Sequence, residues 1–145
     1  MKCLIGLDFG TQSARAVLVS ADDGAVLRAH RMTYPHGVMD GALACAADYE
    51  EVLFALIRAV ATEEYRNSIA GICVDATSLS LVPVADTGDA LSSRPAFSDR
   101  AHAQIKLWKR HSAQPQADEA LALAKARGER FLGRTGGSIS SEWTL

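Results

Sequence analysis

The chain has 145 residues, of which 48% are hydrophobic, 22% charged and 6% aromatic. This length corresponds to about one domain, and the composition excludes collagen, a coiled coil and wholesale disorder. With 15 Lys and Arg residues against 17 Asp and Glu residues, the net charge is −2. No bulk charge therefore favours nucleic acid or an anionic membrane as a partner.

Three cysteines, Cys3, Cys45 and Cys73, are too few and too scattered for a disulfide framework. The chain has no CxxC pair, the usual signature of a structural zinc site. His36 and His102 have no ligand-spaced partner in the sequence, which argues against a metal centre built on them. The first apolar run is too short for a signal peptide or a membrane span. We therefore expect a cytoplasmic protein.

The first third of the chain predicts three antiparallel strands. Apolar runs at 3–7 and 14–19 are typical of buried strands, and an Asp-Gly pair at 23–24 predicts a hairpin turn into a third strand over 25–33. Residues 34–47 show no clean period and predict a loop. The N-terminal part is therefore expected to be an antiparallel meander.

The remainder predicts further strands and helices. Asp48 is expected to cap a helix that ends near Tyr65, because apolar residues from Val52 to Val60 follow at helical spacing. Strands are expected over 69–74 and 79–84, followed by helices over 101–112 and 117–127, with Gly128 as a C-terminal cap. The order of elements favours α/β or α+β with a mixed sheet.

The most specific polar pattern is the segment DFGTQSAR at positions 8–15, between two predicted strands. A tight glycine turn at Gly10 directs backbone N–H groups toward one anion. Thr11, Gln12 and Ser13 add side-chain donors, and Arg15 adds a charged fork. The residues alone leave a phosphate-binding loop and an ordinary polar hairpin turn about equally supported.

Two carboxylates follow predicted strands. Asp8 ends the first strand and has the chemistry to bind Mg²⁺ directly or through water. Asp75 begins the segment DATS at 75–78, at a strand end where open α/β sheets place ligand-binding groups, although a turn that satisfies its own backbone explains it equally well. Trp108, among basic residues, is suited to stacking on a sugar or base, but a core anchor is the commoner role.

The usual nucleotide-binding and hydrolase motifs are missing. The sequence contains neither GxxxxGK[ST] nor a GxGxxG that opens a helix after the first strand. It also lacks HExxH and GxSxG. From the residues alone, no single site decides the function.

Four segments together resemble FGGY carbohydrate kinases, and within them the ribulokinases. They are GLDFGTQSARAVL at 6–18, YPHGVMD at 34–40, KLWKRHSAQ at 106–114 and GGSISSEW at 136–143. The first pattern is shared across the kinase superfamily, and the other three are more particular to ribulokinases. The resemblance covers nearly the whole chain, 1–145.

The resemblance implies an actin-like, ribonuclease H-like α/β domain: a mixed sheet with flanking helices, one incomplete lobe of a two-lobed kinase. It implies an ATP phosphate-binding loop with Mg²⁺ near one carboxylate, and transfer of the γ-phosphoryl group to L-ribulose in arabinose catabolism. The implied ATP-binding residues are Asp8, Gly10, Thr11, Gln12, Ser13 and Arg15, with Asp8 also the metal residue. The implied sugar-binding residues are Asp75, Ser78 and Trp108.

Family members are much longer, and the second domain normally supplies the aspartate that acts as general base. We therefore expect no catalytic base in this chain, little or no turnover by it alone, and self-association through the face that the second domain would cover. The stretch between Asp40 and Tyr49 also looks shorter than in typical ribulokinases. The alternative is a stand-alone sugar- or nucleotide-binding module that kept the fold and lost catalysis.

Overall fold

The computed structural model describes residues 1–143. It contains six strands and two α-helices, besides short 3₁₀ turns. In chain order they are β1 (Cys3–Phe9), β2 (Ser13–Ser20), β3 (Val26–Thr33), β4 (Leu43–Ala44), α1 (Ala46–Val60), β5 (Ile69–Ala76), β6 (Ile105–Lys106) and α2 (Gln114–Ala126).

The main sheet has the strand order β3-β2-β1-β5. The pairs β1–β2 and β2–β3 are antiparallel, whereas β5 lies parallel to β1. Gly24 adopts a φ of 73° in the turn before β3, a conformation that glycine takes without strain. The predicted meander and mixed sheet are thus confirmed, and the carboxyl ends of β1 and β5 meet at one edge.

The main core lies between this sheet and α1. Alternate residues of β1 and β2 face α1, and Val52, Leu56 and Val60 of the helix pack against them at four-residue spacing. Each large aliphatic side chain buried in this way stabilises the fold by roughly 1.5–3 kcal/mol. The buried members of the core are Cys3, Ile5, Leu7, Phe9, Ala14, Ala16, Leu18, Tyr34, Val52, Leu56 and Val60.

The strand β5 is poorly covered. In the parallel ladder Ile72 pairs with Ile5 and Val74 with Leu7, so both side chains lie on the face that α1 covers elsewhere. They are nevertheless 53% and 58% exposed. On the outer side of β5, no strand within residues 1–143 pairs with it. This outer side, with Ile72 and Val74, is called the β5 edge below.

Residues 77–143 contain little regular structure. β4 and β6 form a two-residue antiparallel ladder, and short 3₁₀ helices occur at Leu91–Ser93, Ala101–Ala103 and Arg130–Arg134. A small second core is formed by Ala44, Ile105 and Leu107. α2 ends as predicted, since Gly128 follows it with a φ of 66°.

The predicted boundaries of the first helix are wrong. α1 begins at Ala46 and has Cys45 as its N-cap, whereas Asp48 lies in the first turn and is 2% exposed. The Asp48 carboxylate binds the distant His36 instead of the helix backbone. The helix also ends at Val60, five residues before Tyr65.

Two predicted elements are absent from the described residues. In 79–84, only Leu81 and Val84 form isolated bridges, because no long partner strand lies beside them. The predicted helix over 101–112 is replaced by a 3₁₀ turn and β6. Its burial alternates, with Ala103, Ile105 and Leu107 buried, and a period of two is typical of extended chain.

Two further properties concern the whole described part of the chain. Among residues 1–143, no helix has both the length and the apolar character needed to cross a membrane. The three cysteines are all free, with Cys3 buried, Cys45 partly buried and Cys73 exposed.

Candidate functional site

The loop between β1 and β2 is a tight turn with free backbone donors. The Gly10 N–H donates to the carbonyl of Ser13 at 3.0 Å, and a Cβ at Gly10 would lie 3.2 Å from that same oxygen. Within residues 1–143, the N–H groups of Thr11 and Gln12 have no acceptor. Two consecutive free N–H groups at a turn are available as donors to an anion, and the assignment of this loop to phosphate stays a prediction.

Tyr34 holds this loop from behind. Its hydroxyl donates to the carbonyl of Gly10 at 2.9 Å, and its ring, 4% exposed, stacks on Tyr49 with centroids 4.5 Å apart. Burial, with Tyr49 close by, raises the pKa of Tyr34, so the hydroxyl stays protonated and remains a donor. Tyr34 was not predicted from the sequence as a site residue. Its one sequence signal is its place directly after β3, before a Pro-His-Gly turn.

Trp108 contacts the same loop from the other half of the chain. Its indole Nε1–H donates to Thr11 Oγ1 at 3.0 Å, across 97 residues of sequence. The side chain is 40% exposed, so it is not a core anchor. Trp108 therefore joins the loop that follows β6 to the loop that follows β1.

Charged side chains gather where β1, β2 and β5 lie side by side. Arg15 Nε lies 2.8 Å from Asp8 Oδ2, and the side chains are 66% and 41% exposed respectively. Asp75 pairs with Asp8 in the parallel ladder, so the two carboxylates lie on one face of neighbouring strands. Arg31 donates from Nε to the hydroxyl of Ser13 at 3.0 Å. The site thus combines two carboxylates and two guanidinium groups.

The loop after β5 lies close to the end of β1. Thr77 donates both its N–H, at 2.9 Å, and its hydroxyl, at 3.2 Å, to the carbonyl of Phe9. Ser78 is exposed, and the next residue, Leu79, has a φ of 59°. A bulky side chain in this left-handed region is strained, a property often found in binding loops.

Two cavities lie near these loops. One, of about 470 Å³, is lined by Leu79, Lys106, Arg110, Glu142 and Trp143 among others. A second, of about 490 Å³, lies between α1 and the 76–90 segment and is mainly apolar. Neither is lined by Asp75, Ser78 or Trp108. The structure therefore places these three residues on open surface rather than inside a formed pocket.

His36 and Asp48 form a pair beside this region. The Asp48 carboxylate accepts the His36 backbone N–H at 2.8 Å and contacts His36 Nδ1 at 2.6 Å. The hydrogen bond and the negative charge of Asp48 raise the pKa of His36. The expectation that His36 lacks a ligand-spaced partner is wrong, because α1 brings both Asp48 and Cys45 to it.

Known proteins were compared with the chain. No family model matches it. It is 44% identical to a ribulokinase from Mycolicibacterium smegmatis and 40% identical to one from Anoxybacillus flavithermus, over 98% and 99% of this chain. By sequence, the chain is similar to these ribulokinases over nearly its whole length. The resemblance found in four sequence segments is confirmed, and the chain spans about 28% of the length of these relatives.

Solved sugar kinases share the fold. A xylulose kinase from Brucella ovis aligns with a TM-score of 0.73 at 18% identity, over 98% of this chain and 27% of that one. A xylulose kinase from Bifidobacterium adolescentis gives a TM-score of 0.65 at 19% identity, over 99% and 28%. At these identities the comparison establishes the fold alone. The predicted actin-like domain, present as an incomplete lobe, is confirmed.

The alignment with the Mycolicibacterium ribulokinase is also longer than this chain. It runs over 158 positions, whereas the chain has 145 residues. The relative therefore has residues within the aligned region that this chain lacks. The expectation that the missing residues fall between Asp40 and Tyr49 stays a prediction.

Proposed function

We propose that this chain is the N-terminal part of a cytoplasmic kinase that transfers the γ-phosphoryl group of ATP to L-ribulose in arabinose catabolism. The observation that carries the proposal is the 44% identity to a ribulokinase over 98% of the chain. The free donors of the loop after β1 support it independently. Such chemistry needs mainly positioning and charge neutralisation, which a rigid loop at a sheet edge suits.

In this proposal the loop after β1 binds the phosphates of ATP. The N–H groups of Thr11 and Gln12 provide neutral donors, and the hydroxyls of Thr11 and Ser13 lie in the same turn. Arg15 contacts Asp8 through Nε, which leaves its terminal nitrogens to bind phosphate oxygens. Tyr34 and Trp108 hold the turn in shape before ATP arrives, which lowers the entropy lost on binding.

The residues also fit Mg²⁺, which the family implies. Mg²⁺ prefers carboxylate oxygen and commonly keeps several waters alongside one or two carboxylates and the substrate phosphates. Asp8 is the residue proposed to hold it, and Asp75 lies beside Asp8 on the same face. When bound, the ion would neutralise charge on the phosphates. Arg15 restrains Asp8 on the side of β2.

The sugar is proposed to bind where the loop after β5 approaches Trp108. Asp75 and Ser78 offer hydrogen-bond partners for hydroxyl groups, and the half-exposed indole of Trp108 offers an apolar face for a sugar ring. No residue in this chain is proposed as the general base. The chain alone is therefore expected to hold half a site and to turn over L-ribulose slowly or not at all.

A chimera tests this function directly. The chain replaces the matching 28% of the Mycolicibacterium ribulokinase, and ADP release is measured with and without L-ribulose. The expected result is L-ribulose-dependent turnover. Asp8→Asn in the chimera should lower kcat by about 100-fold, the scale of losing one charge contact at the reacting phosphoryl group.

The matched control is Asp22→Asn, which removes the same charge from an exposed turn and should leave kcat unchanged. A chimera that folds but shows no L-ribulose-dependent turnover contradicts the proposal. The binding-module alternative then remains. It predicts that the chain alone shifts its ¹⁵N–¹H NMR signals with L-ribulose or Mg-ATP.

We also infer that the isolated chain associates with a second copy through the β5 edge. An unpaired, apolar edge strand is a template for pairing with another chain, and Ile72 and Val74 are both more than half exposed there. Light scattering should give a mass that rises with concentration, and Val74→Lys should abolish the rise. Val26→Lys, on β3, is the control. A constant monomer mass for the unmodified chain contradicts this inference.

A further inference from the structure

A cluster of metal-ligating side chains lies outside the phosphate loop, where the β3–α1 connection meets the start of α1. The clustered residues are His36, Cys45 and Asp48, and one candidate ligand atom from each lies within 4.8 Å of the other two. We propose that these three side chains form a Zn²⁺ site, with water as the fourth ligand.

The local backbone explains why the three side chains converge. Cys45 is the N-cap of α1 and Asp48 is three residues later, so both lie on one face of the first turn. His36 is directed to that face by a tight turn, in which Gly37 adopts a φ of 59° and donates its N–H to the Tyr34 carbonyl. Its backbone bond to Asp48 then fixes the turn against the helix.

The donor set suits zinc better than magnesium. Thiolate, imidazole and carboxylate are the three ligand types that Zn²⁺ binds, whereas Mg²⁺ prefers oxygen ligands alone. A thiolate and a carboxylate together carry two negative charges, which one Zn²⁺ neutralises. Cys45 makes no capping hydrogen bond to the helix, so its sulfur is not committed elsewhere in that turn.

Movement of the His36 ring and of the Cys45 sulfur, which lies within 4.8 Å of the other two ligand atoms, would complete the geometry. In a tetrahedral zinc site, nitrogen and oxygen ligands lie about 3.3 Å apart, and sulfur lies about 3.6 Å from either. His36 Nδ1 and Asp48 Oδ1 lie 2.6 Å apart, so the imidazole must move outward by less than 1 Å. The His36 side chain is 64% exposed and is free to do so, while the buried Asp48 keeps its backbone bond from His36.

The bound Zn²⁺ would stabilise the structure and would take no part in a reaction. It would join the β3–α1 connection to α1, two residues after Tyr34, whose hydroxyl binds the carbonyl of Gly10. Zn²⁺ would therefore fix the segment from which the phosphate loop is held. The proposal does not depend on the kinase function, since it rests on the three ligands alone.

Metal titration of the chain tests the proposal. Metal-free protein is titrated with Co²⁺, a spectroscopic substitute for zinc, and with Zn²⁺ against a chromophoric chelator. The expected results are one equivalent of bound Zn²⁺ and a thiolate-to-cobalt charge-transfer band in the near ultraviolet. Zn²⁺ should also raise the unfolding temperature, because a ligand that binds only the folded state stabilises it.

The informative variant is Cys45→Ser. Serine is a favoured N-cap residue, so this variant should fold at least as well as the unmodified chain. It should lose the charge-transfer band and bind Zn²⁺ more weakly by over 100-fold, since loss of even an outer-shell partner costs about 10- to 100-fold. Cys73→Ser removes an exposed thiol elsewhere and should behave like the unmodified chain.

A second pair of variants tests the imidazole. His36→Gln should weaken Zn²⁺ binding, whereas His102→Gln should leave it unchanged. The proposal is overturned if the unmodified chain shows no charge-transfer band. It is equally overturned if Cys45→Ser binds Zn²⁺ as tightly as the unmodified chain, or if the band disappears in Cys73→Ser and persists in Cys45→Ser.

Discussion

The two halves of the chain are stabilised in different ways. Residues 1–76 contain the main sheet and α1, with a continuous core of large aliphatic side chains. Residues 77–143 contain short ladders, 3₁₀ turns and one helix whose buried residues are the alanines Ala117 and Ala124. The first half therefore holds its own fold, whereas the second depends more on what it is packed against. The functional loops lie where the two halves meet.

The largest effect is expected from a substitution in the core of the first half. Leu56→Ala removes a fully buried side chain from α1 and should lower the free energy of unfolding by about 2–5 kcal/mol. Leu123→Ala in α2 is the matched change in the second half, and its side chain is exposed. That variant should stay within about 0.5 kcal/mol of the unmodified chain. Urea unfolding followed by circular dichroism measures both, and equal losses would refute the contrast between the halves.

A smaller effect is expected from Tyr34→Phe. The variant keeps the stacked ring and removes the hydroxyl that binds the Gly10 carbonyl, at a cost of about 1 kcal/mol. The Gly10 amide, which donates to the Ser13 carbonyl, should exchange with solvent faster than in the unmodified chain. Tyr65→Phe, at a partly buried tyrosine that packs against the main core, is the control. Unchanged exchange in this loop would mean that Tyr34 does not position it.

Trp108→Phe removes the side-chain hydrogen bond that joins the two halves at the loop after β1. The hydrogen bond from the indole N–H to Thr11 is partly exposed. Its loss should therefore lower the free energy of unfolding by about 0.5 kcal/mol, the low end for a hydrogen bond. NMR signals of residues 10–12 and of 107–109 should shift together. The control variant, Trp143→Phe, should leave the signals of residues 10–12 unchanged. Shifts confined to 107–109 would contradict the link.

The smallest effect concerns acid stability in the turn between β2 and β3. Hydrogen bonds from the Ser20 hydroxyl and the Ala25 N–H lower the pKa of Asp23. Because the folded pKa lies below the unfolded value, this contribution is present above about pH 4 and is lost as pH falls through the folded pKa. Unfolding temperatures from pH 6 to pH 3 should therefore fall slightly more steeply for the unmodified chain than for Asp23→Asn. A steeper fall of the unfolding temperature in Asp23→Asn than in the unmodified chain would contradict the lowered pKa of Asp23.

Sequence patterns predicted the first half better than the second. An Asp-Gly turn and alternating apolar strands are local signals, and they correctly predicted the meander. The apolar run at 79–84 gave the same local signal and failed, because a strand needs a partner and only single bridges reach Leu81 and Val84. The alternation of Ala103, Ile105 and Leu107 was also overlooked, since the basic residues Lys106, Lys109 and Arg110 in the same segment resembled a helical surface.

Sequence patterns were limited in the same way at the candidate site: they indicated local segments but not the contacts between distant ones. The loop 10–13 was selected from its residues as a candidate phosphate-binding loop, and that assignment stays a prediction. The partners of the loop were not identified, because Tyr34 and Trp108 reach it across 24 and 97 residues. Asp48 was assigned to its own helix for the same reason: the sequence shows a carboxylate at a helix start, and only the fold brings His36 to it.

The parallel pairing of β1 with β5 can form only after β5 has been synthesised. Thirty-five residues separate the end of β3 at Thr33 from the start of β5 at Ile69. At a ribosomal rate of roughly 5–20 residues per second, β5 is made about 2–7 s after the meander is complete. During that interval β1, which leads into the candidate phosphate-binding loop, has one side unpaired and open to any extended chain nearby. A nascent-chain chaperone bound to that side would protect the strand on which the proposed ATP site is built.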